Sequence, residues 1–394
     1  MENTSMFEAK IQLLFSLIGN GYLKDRRLFR AFLDENIEDF ISEEYMYHAG
    51  FFVDRPSLFY HKNNKNYRTI SAPHMISIML QGLLFTEQTE DLLILGAKSG
   101  FISALAHKLI PKGTITILEA NSDIAKITIE NLKKIKYDKY IKIIVKNPLE
   151  GVPELKPWKK ILVTGAITED KIHHLLDQLD PNGGVLFAPI GGTEQNQTYT
   201  QILRIGNDFF GKKQLQVQFS PLMTKIELDE LELVMDFDDA IDVSKTENKD
   251  DKNLHFTIKY TSSILDEIDL KPTAKLNPPN LIIQPNDIGI VFLEYIDALI
   301  EEIKKGDNLD KLDSKFHNID MLIVIMEKFK DKINISFEKI QSSFDQLKAS
   351  NITKISNLMK KQQQHPLNKI NSKELEKLEK LQEVLRKEVK KLKT

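Results

Sequence analysis

Two stretches of the sequence have the residue types and spacing of a ligand site. The first is Leu95-Gly96-Ala97-Lys98-Ser99-Gly100, a glycine-bearing turn placed directly after an apolar run. Glycine at such a turn lets the backbone approach a ligand closely. The second is Leu118-Glu119-Ala120-Asn121, one apolar run later. Glu119 stands at the end of that run, where a carboxylate can accept hydrogen bonds from both hydroxyls of a ribose. The pair points to a nucleoside-containing cofactor, although a turn and a terminal glutamate of this kind also serve as plain structure in many α/β domains. His61, His74, His107, His173 and His174 lack metal-ligand spacing, and His173-His174 beside Asp170 and Asp177 reads as a solvated helix flank, so no metal site is expected. With no cysteine in the chain, disulfides, thiolate metal sites and cysteine nucleophiles are excluded.

These residues need a scaffold, and the runs around them supply it. Leu92 to Leu95, Ile115 to Leu118, Ile141 to Val145, Ile161 to Thr164 and Val185 to Pro189 are short, apolar on both faces and separated by helical patterns. That texture predicts buried parallel strands in repeated βαβ units, a doubly wound Rossmann-like α/β domain. Leu215, Val217 and Phe219 alternate with glutamines and predict a further strand with one wet face. Residues 7 to 60 read as helices and aromatic-rich turns. Glu227 to Asp242, acidic with interleaved Leu231, Leu233, Val234 and Phe237, reads as an exposed edge strand, one arm of an acidic hairpin whose other arm is Leu254 to Tyr260.

Ser244 to Asn253 is too polar to bury a core, and Lys271 to Pro285 carries four prolines, so 243–286 is expected to link two domains, with an extra strand possible inside it. Apolar stripes at helical spacing follow: Ile288 to Ile303 closed by Gly306, Leu309 to Met326, Phe337 to Leu347, and a seam of Leu378, Leu381, Leu385, Val389 and Leu392 behind an Asn371 cap. The expected organisation is an α/β domain over 1–242, the linker, and a helical bundle or coiled-coil extension over 287–394. The seam either packs inside that bundle or binds a partner helix or a second copy of the chain.

At 394 residues the chain exceeds what one core usually organises. Lys and Arg total 54 against 57 Asp and Glu, a net charge of -3, which argues against a nucleic-acid coat. No apolar run reaches the roughly 18 residues of a membrane span, and the first residues lack a secretory pattern. A cytoplasmic address with neither nucleic acid nor membrane as partner is expected.

The stretch Tyr67-Arg68-Thr69-Ile70-Ser71-Ala72-Pro73-His74-Met75 resembles the T-I-S-x-P-[HY]-M signature of protein-L-isoaspartate O-methyltransferases. Further pieces occur in that family's order: Asp54 and Pro56, Gly151-Val152-Pro153-Glu154, Leu176 to Gly184, Pro189-Ile190-Gly191, Asn196-Gln197 and Pro221-Leu222-Met223. The likeness spans roughly residues 7 to 232 and excludes the helical remainder. It implies methyl transfer from S-adenosylmethionine to isoaspartyl carboxylates of damaged proteins. By position, Ser71 would hold the acceptor carboxylate as the catalytic residue, with Thr69, Ile70, Ala72 and His74 shaping the substrate slot. Gly96, Ser99 and Gly100 would cradle the methionine end of the cofactor, Glu119 and Ala120 the ribose, and Asn147 and Pro148 the adenine.

The cofactor side departs from the family pattern. Ile94 and Lys98 stand where its D-V-G-x-G-x-G strand motif has an acid and the central glycine, Asn147-Pro148 replaces Asp-Gly, Ile76 a second histidine and Lys159 an aspartate. Those departures support a rival reading, a catalytically weak or inactive member that recognises damaged proteins and acts as an adaptor through its helices. A methyltransferase for another acceptor, such as a tRNA base, is opposed by the charge balance and the intact substrate heptapeptide.

Overall fold

The computed structural model describes residues 6–46, 52–63, 66–192, 196–234, 254–261, 283–307, 311–350, 352–364 and 373–394. The expected linker segment 244–253, most of 271–285 and the Asn371 cap lie outside the described residues. The chain divides into two compact units, one of residues 16–23 and 35–281, the other of 1–15, 24–34 and 282–394.

The first unit is built on an eight-stranded sheet. In chain order its strands are β3 (Leu92–Leu95), β4 (Ile115–Glu119), β5 (Ile141–Val145), β6 (Lys160–Val163), β7 (Asn182–Ile190), β8 (Gln197–Ile205), β9 (Asp208–Val217) and β10 (Ile258–Tyr260). They lie in the order β10-β9-β8-β7-β6-β3-β4-β5. The strands β3 to β7 run parallel, β8 and β9 antiparallel, and β10 joins the outer edge parallel to β9. Every residue of β3, β4 and β6 is buried, which is why these strands show as unbroken apolar runs. Helices α3 (Glu43–Met46) and α4 (Pro73–Gly82) precede the sheet, and α5 (Phe101–Leu109), α6 (Ser122–Lys134) and α7 (Glu169–Asp177) connect its strands. Leu93, Leu95, Ile161 and Val163 share a core with Ile172 and Leu175 of α7, each contributing about 2 kcal/mol by burial. This is the doubly wound fold expected, and its strand order reverses between β3 and β6.

Ahead of the sheet, β1 (Ser57–Asn63) and β2 (Asn66–Ile70) form an antiparallel hairpin where turns were expected. Of the expected acidic edge strand, 235–242 lies outside the described residues, and 227–234 is instead part of a helix, α8 (Lys225–Val234). Its start explains the difference. Glu227 Oε2 accepts from the Thr224 amide at 2.7 Å while Thr224 Oγ1 accepts from the Glu227 amide at 3.4 Å, a reciprocal cap that nucleates a helix. No acidic hairpin forms among the described residues, since Leu254 to Tyr260 leads into β10 against β9.

The second unit is helical: the first part of α1 (Met6–Gly19), α2 (Arg26–Asp34), α9 (Pro285–Lys305), α10 (Leu312–Glu327), α11 (Phe337–Lys348), α12 (Ile352–Gln364) and α13 (Lys373–Lys393). Gly306 ends α9 at φ 75°. Leu378, Leu381 and Leu385 of the last seam are fully buried, and α13 packs on α9 and α11 of its own chain. The N-terminal helices belong to this core: Phe292 meets Phe15 at 6.1 Å and Phe29 at 5.9 Å between ring centres, and Arg26 pairs with Asp287 at 2.9 Å.

Candidate functional site

In an open α/β sheet the ligand crevice lies outside the carboxyl ends of the strands at the reversal point, and the two features singled out above both lie there. β3 runs into Gly96, whose amide donates to Leu118 O at 2.8 Å. Gly96 has φ 93°, and a Cβ there would collide with the Thr164 hydroxyl, which itself donates to Leu95 O at 2.8 Å. Glycine is therefore required at 96. Gly100, also at φ 93°, opens α5. Between them Lys98 (φ 45°) and Ser99 (φ 64°) hold the left-handed conformation that glycine adopts without strain. The turn of a glycine-rich sequence is kept with residues that fit it poorly.

Glu119 closes β4 as expected and is 8% exposed. Its Oε2 accepts from the Ala97 amide at 2.9 Å and its Oε1 from the Asn121 amide at 3.0 Å. Burial pushes its carboxyl pKa up, while those two amides, Arg68 and Lys98 pull it back. Two cations therefore face this one carboxylate. Burial, aided by Arg68 and opposed by Glu119, lowers the Lys98 ammonium to about 8, although the side chain keeps part of its surface in solvent. Arg68, from β2, forms an ion pair with the fully buried Glu227 of α8, and a second pair, Lys62 with Glu230 at 3.4 Å, joins the hairpin to the same helix.

The remaining expected residues fall into two groups. Asn147 follows β5, beside Glu119, whose carbonyl accepts from the Lys146 amide at 3.1 Å. Its side-chain oxygen is engaged by the Leu149 amide at 3.0 Å in the short turn through Pro148. Ala120 is buried next to Glu119. Ser99 points its hydroxyl away from the crevice, donating to Phe40 O, so it can offer a ligand only its backbone. On the substrate side, Thr69 and Ile70 end β2, Ser71 and Ala72 form the step into α4, and Pro73 begins the helix. β2 packs on the Lys98–Gly100 turn, which brings the heptapeptide next to the cofactor features. The Ser71 hydroxyl belongs to a residue 7% exposed, and it makes no hydrogen bond among the described residues. His74 is fixed by Asp54, whose Oδ1 takes both the His74 amide at 2.9 Å and Nδ1 at 2.8 Å.

Sequence reasoning missed Tyr60, Arg68 and Glu227 and gave Asn121 no role of its own. Tyr60 on β1 is paired with Arg68 on β2 and sets its hydroxyl 3.5 Å from Asp123 Oδ2 at the start of α6. Asn121 caps α6 through Oδ1, accepting from Asp123 and Ile124 amides at 2.9 and 3.1 Å, and its Nδ2 is buried without a hydrogen-bond partner among the described residues. An oriented carboxylate and an unmatched amide donor at one strand end fit a ribose diol, since each hydroxyl both donates and accepts. The residues present therefore fit a nucleoside cofactor, and among the described residues no group of His, Asp and Glu could hold a metal ion.

A doubly wound sheet with such a carboxylate beside the reversal point defines a Rossmann-like, nucleoside-binding class of domain. The chain matches the family described as Protein-L-isoaspartate(D-aspartate) O-methyltransferase over residues 8–227, and it belongs to that family. It is 32% identical over 192 residues to the protein-L-isoaspartate O-methyltransferase of Methanopyrus kandleri, covering 48% of this chain and 80% of that protein. The Methanococcus aeolicus protein of the same name is 33% identical over 211 residues, 53% of this chain and 91% of its own length. A solved Plasmodium falciparum structure assigned to the same activity, in complex with S-adenosyl-L-homocysteine, aligns with a TM-score of 0.46 at 24% identity over 54% of this chain and 97% of that one. Residues 228–394 lie beyond the family match. No helix among the described residues is long and apolar enough to cross a membrane.

Proposed function

We propose that this chain transfers a methyl group from S-adenosylmethionine to isoaspartyl carboxylates of damaged proteins, as its family does. The observation that carries the reading is Glu119, a buried carboxylate oriented by two backbone amides beside the reversal point of the sheet. When bound, the cofactor supplies a methyl carbon on a sulfonium: the acceptor carboxylate oxygen bonds to that carbon, the carbon–sulfur bond breaks, and a methyl ester and S-adenosylhomocysteine result. A carboxylate acceptor is already ionised at neutral pH, so the protein needs no strong base. What the chain contributes is orientation, which is worth several kcal/mol when the reacting atoms are held in line.

Glu119, with Ala120 beside it, would receive the ribose, and the backbone of Gly96, Ser99 and Gly100 would hold the methionine portion. Asn147 and Pro148 would hold the adenine. Ser71 supports the role of acceptor holder because the residue is buried, next to Ile70 and Ala72, while its hydroxyl makes no hydrogen bond among the described residues. Thr69 and the Asp54-fixed His74 border the same slot. The adaptor reading is not favoured, since the altered Lys98 turn still presents Glu119 with the Ala97 amide. The exposed face of the helical unit remains available for a protein partner or a second copy, and the cysteine-free composition suits the cytoplasm.

Calorimetry with S-adenosyl-L-homocysteine and methyl transfer to an isoaspartyl peptide and its aspartyl isomer test the reading. The expected outcome is binding, with ester formed on the isoaspartyl peptide alone. Ser71→Ala is expected to lower turnover about tenfold or more while changing cofactor affinity little. Equal labelling of both isomers, or no binding, overturns it.

A further inference from the structure

Asn121 supplies more than a helix cap needs. Its oxygen alone does the capping, and Asp or Ser caps equally well without adding an amide donor. Yet its Nδ2 lies in a residue 1% exposed and is unmatched by any hydrogen-bond acceptor among the described residues. A buried donor left unmatched is destabilising, because it has lost its water without gaining a partner. The Asn121 side chain opposes the upward pull of burial on the pKa of the Tyr60 hydroxyl, so the two side chains are neighbours, yet Nδ2 makes no hydrogen bond among the described residues. The Asn121 backbone amide orients Glu119, so the unmatched donor belongs to the residue that positions the carboxylate.

Resting on the nucleoside reading of Glu119, we propose that Asn121 is a further cofactor-binding residue, its Nδ2 donating to a ribose hydroxyl oxygen whose proton Glu119 accepts. A carboxylate is an acceptor only. Hydroxyls that donate to it keep lone pairs, and inside a buried site those lone pairs require a donor. Asn121 provides one from the same strand end, and Tyr60 bounds the site from the hairpin. The unliganded protein thus carries a polar debt that the ligand settles.

The test uses the full chain, with S-adenosyl-L-homocysteine as probe in calorimetry and melting of the unliganded protein as a second readout. Asn121→Ser keeps the cap and removes the amide, and Asn121→Asp keeps cap and shape. Both are expected to weaken binding about tenfold, while Asn121→Ser melts no lower than wild type because the unmatched donor is gone. Affinity within twofold of wild type in both variants overturns the proposal, and so does a lower melting temperature with unchanged affinity, which would make the amide structural. If wild type binds but the variants do not respond, Asn121 alone is misassigned. If wild type itself does not bind, the nucleoside reading of Glu119 fails and this proposal fails with it.

Discussion

Lys98 joins two costs at one position, and they can be separated by substitution. Its φ of 45° is a left-handed conformation, worth about 1 kcal/mol of strain for a residue with a Cβ. Its ammonium titrates at about 8 instead of the ordinary 10.5, which corresponds to about 3 kcal/mol against the charged form. Because the side chain is only partly buried, solvent screening reduces this to on the order of 1–2 kcal/mol. The sign follows from linkage. Between about 8 and 10.5 the unfolded lysine holds a proton that the folded one has released, so stability rises with pH across that window and the penalty is complete below it. Lys98→Met removes the charge and keeps the strain; Lys98→Gly removes both and gives back part through the unfolded chain's extra freedom. Urea unfolding at pH 7 should find Met more stable by about 1–2 kcal/mol, a gain that largely vanishes by pH 10. Gly should add a smaller pH-independent increment, at most about half a kcal/mol. Equal stability of wild type and Met at pH 7, or a difference that persists at pH 10, would refute the assignment of Lys98 as a charge held at a cost.

Three other expectations follow from named contacts. Arg68→Ala leaves the buried Glu227 carboxylate without its cation and should cost about 3 kcal/mol in chemical unfolding, with Arg68→Lys recovering part; a loss below about 1 kcal/mol would mean the pair behaves as a solvated one. His173 accepts the Phe256 amide through Nδ1 at 3.2 Å and stacks on His255, and burial, with the neighbouring His255, lowers its pKa against the opposing pull of Glu169. Its unfolded imidazole therefore takes a proton first, and stability should fall as pH drops below about 6.5; His173→Phe should cost about 1 kcal/mol at pH 7.5 and flatten that acid limb. Deleting 367–394 removes Leu378, Leu381 and Leu385 from a core they fill, so thermal unfolding should shift down with no change of mass in light scattering and no change in S-adenosyl-L-homocysteine affinity.

The sequence showed the central parallel strands β3, β4 and β6 clearly because each is buried on both faces, which favours a dense apolar run. β8 was not legible for the opposite reason. Gln197 is fully buried, and its amide is satisfied by Gly192 O at 2.9 Å and the Phe219 amide at 2.8 Å, so hydrogen bonding replaces hydrophobicity there. Thr224 and Glu227 did carry a readable signal, the spacing of a capping box, yet the alternation of leucines with acids around it mimicked a strand. At the site, Glu119 and the Gly96 turn stood out because local order places them at strand ends. Arg68 and Tyr60 reach the same point from a hairpin some 50 residues earlier, and no local spacing records that. The orientation of Ser99 depends on a φ of 64°, which residue type does not announce.

The helical unit draws on both ends of the chain, residues 1–15 and 24–34 and then 282–394. During synthesis the first helices emerge with Phe15 and Phe29 bare, and their partner Phe292 arrives about 260 to 280 residues later. At the usual pace of translation that interval lasts on the order of tens of seconds. The sheet unit can complete its own core in that time, while the N-terminal helices wait as an apolar, incomplete half. A ribosome that stalls before the last hundred residues would therefore release a chain with a finished sheet and an adhesive N-terminus, the kind of species that chaperones hold.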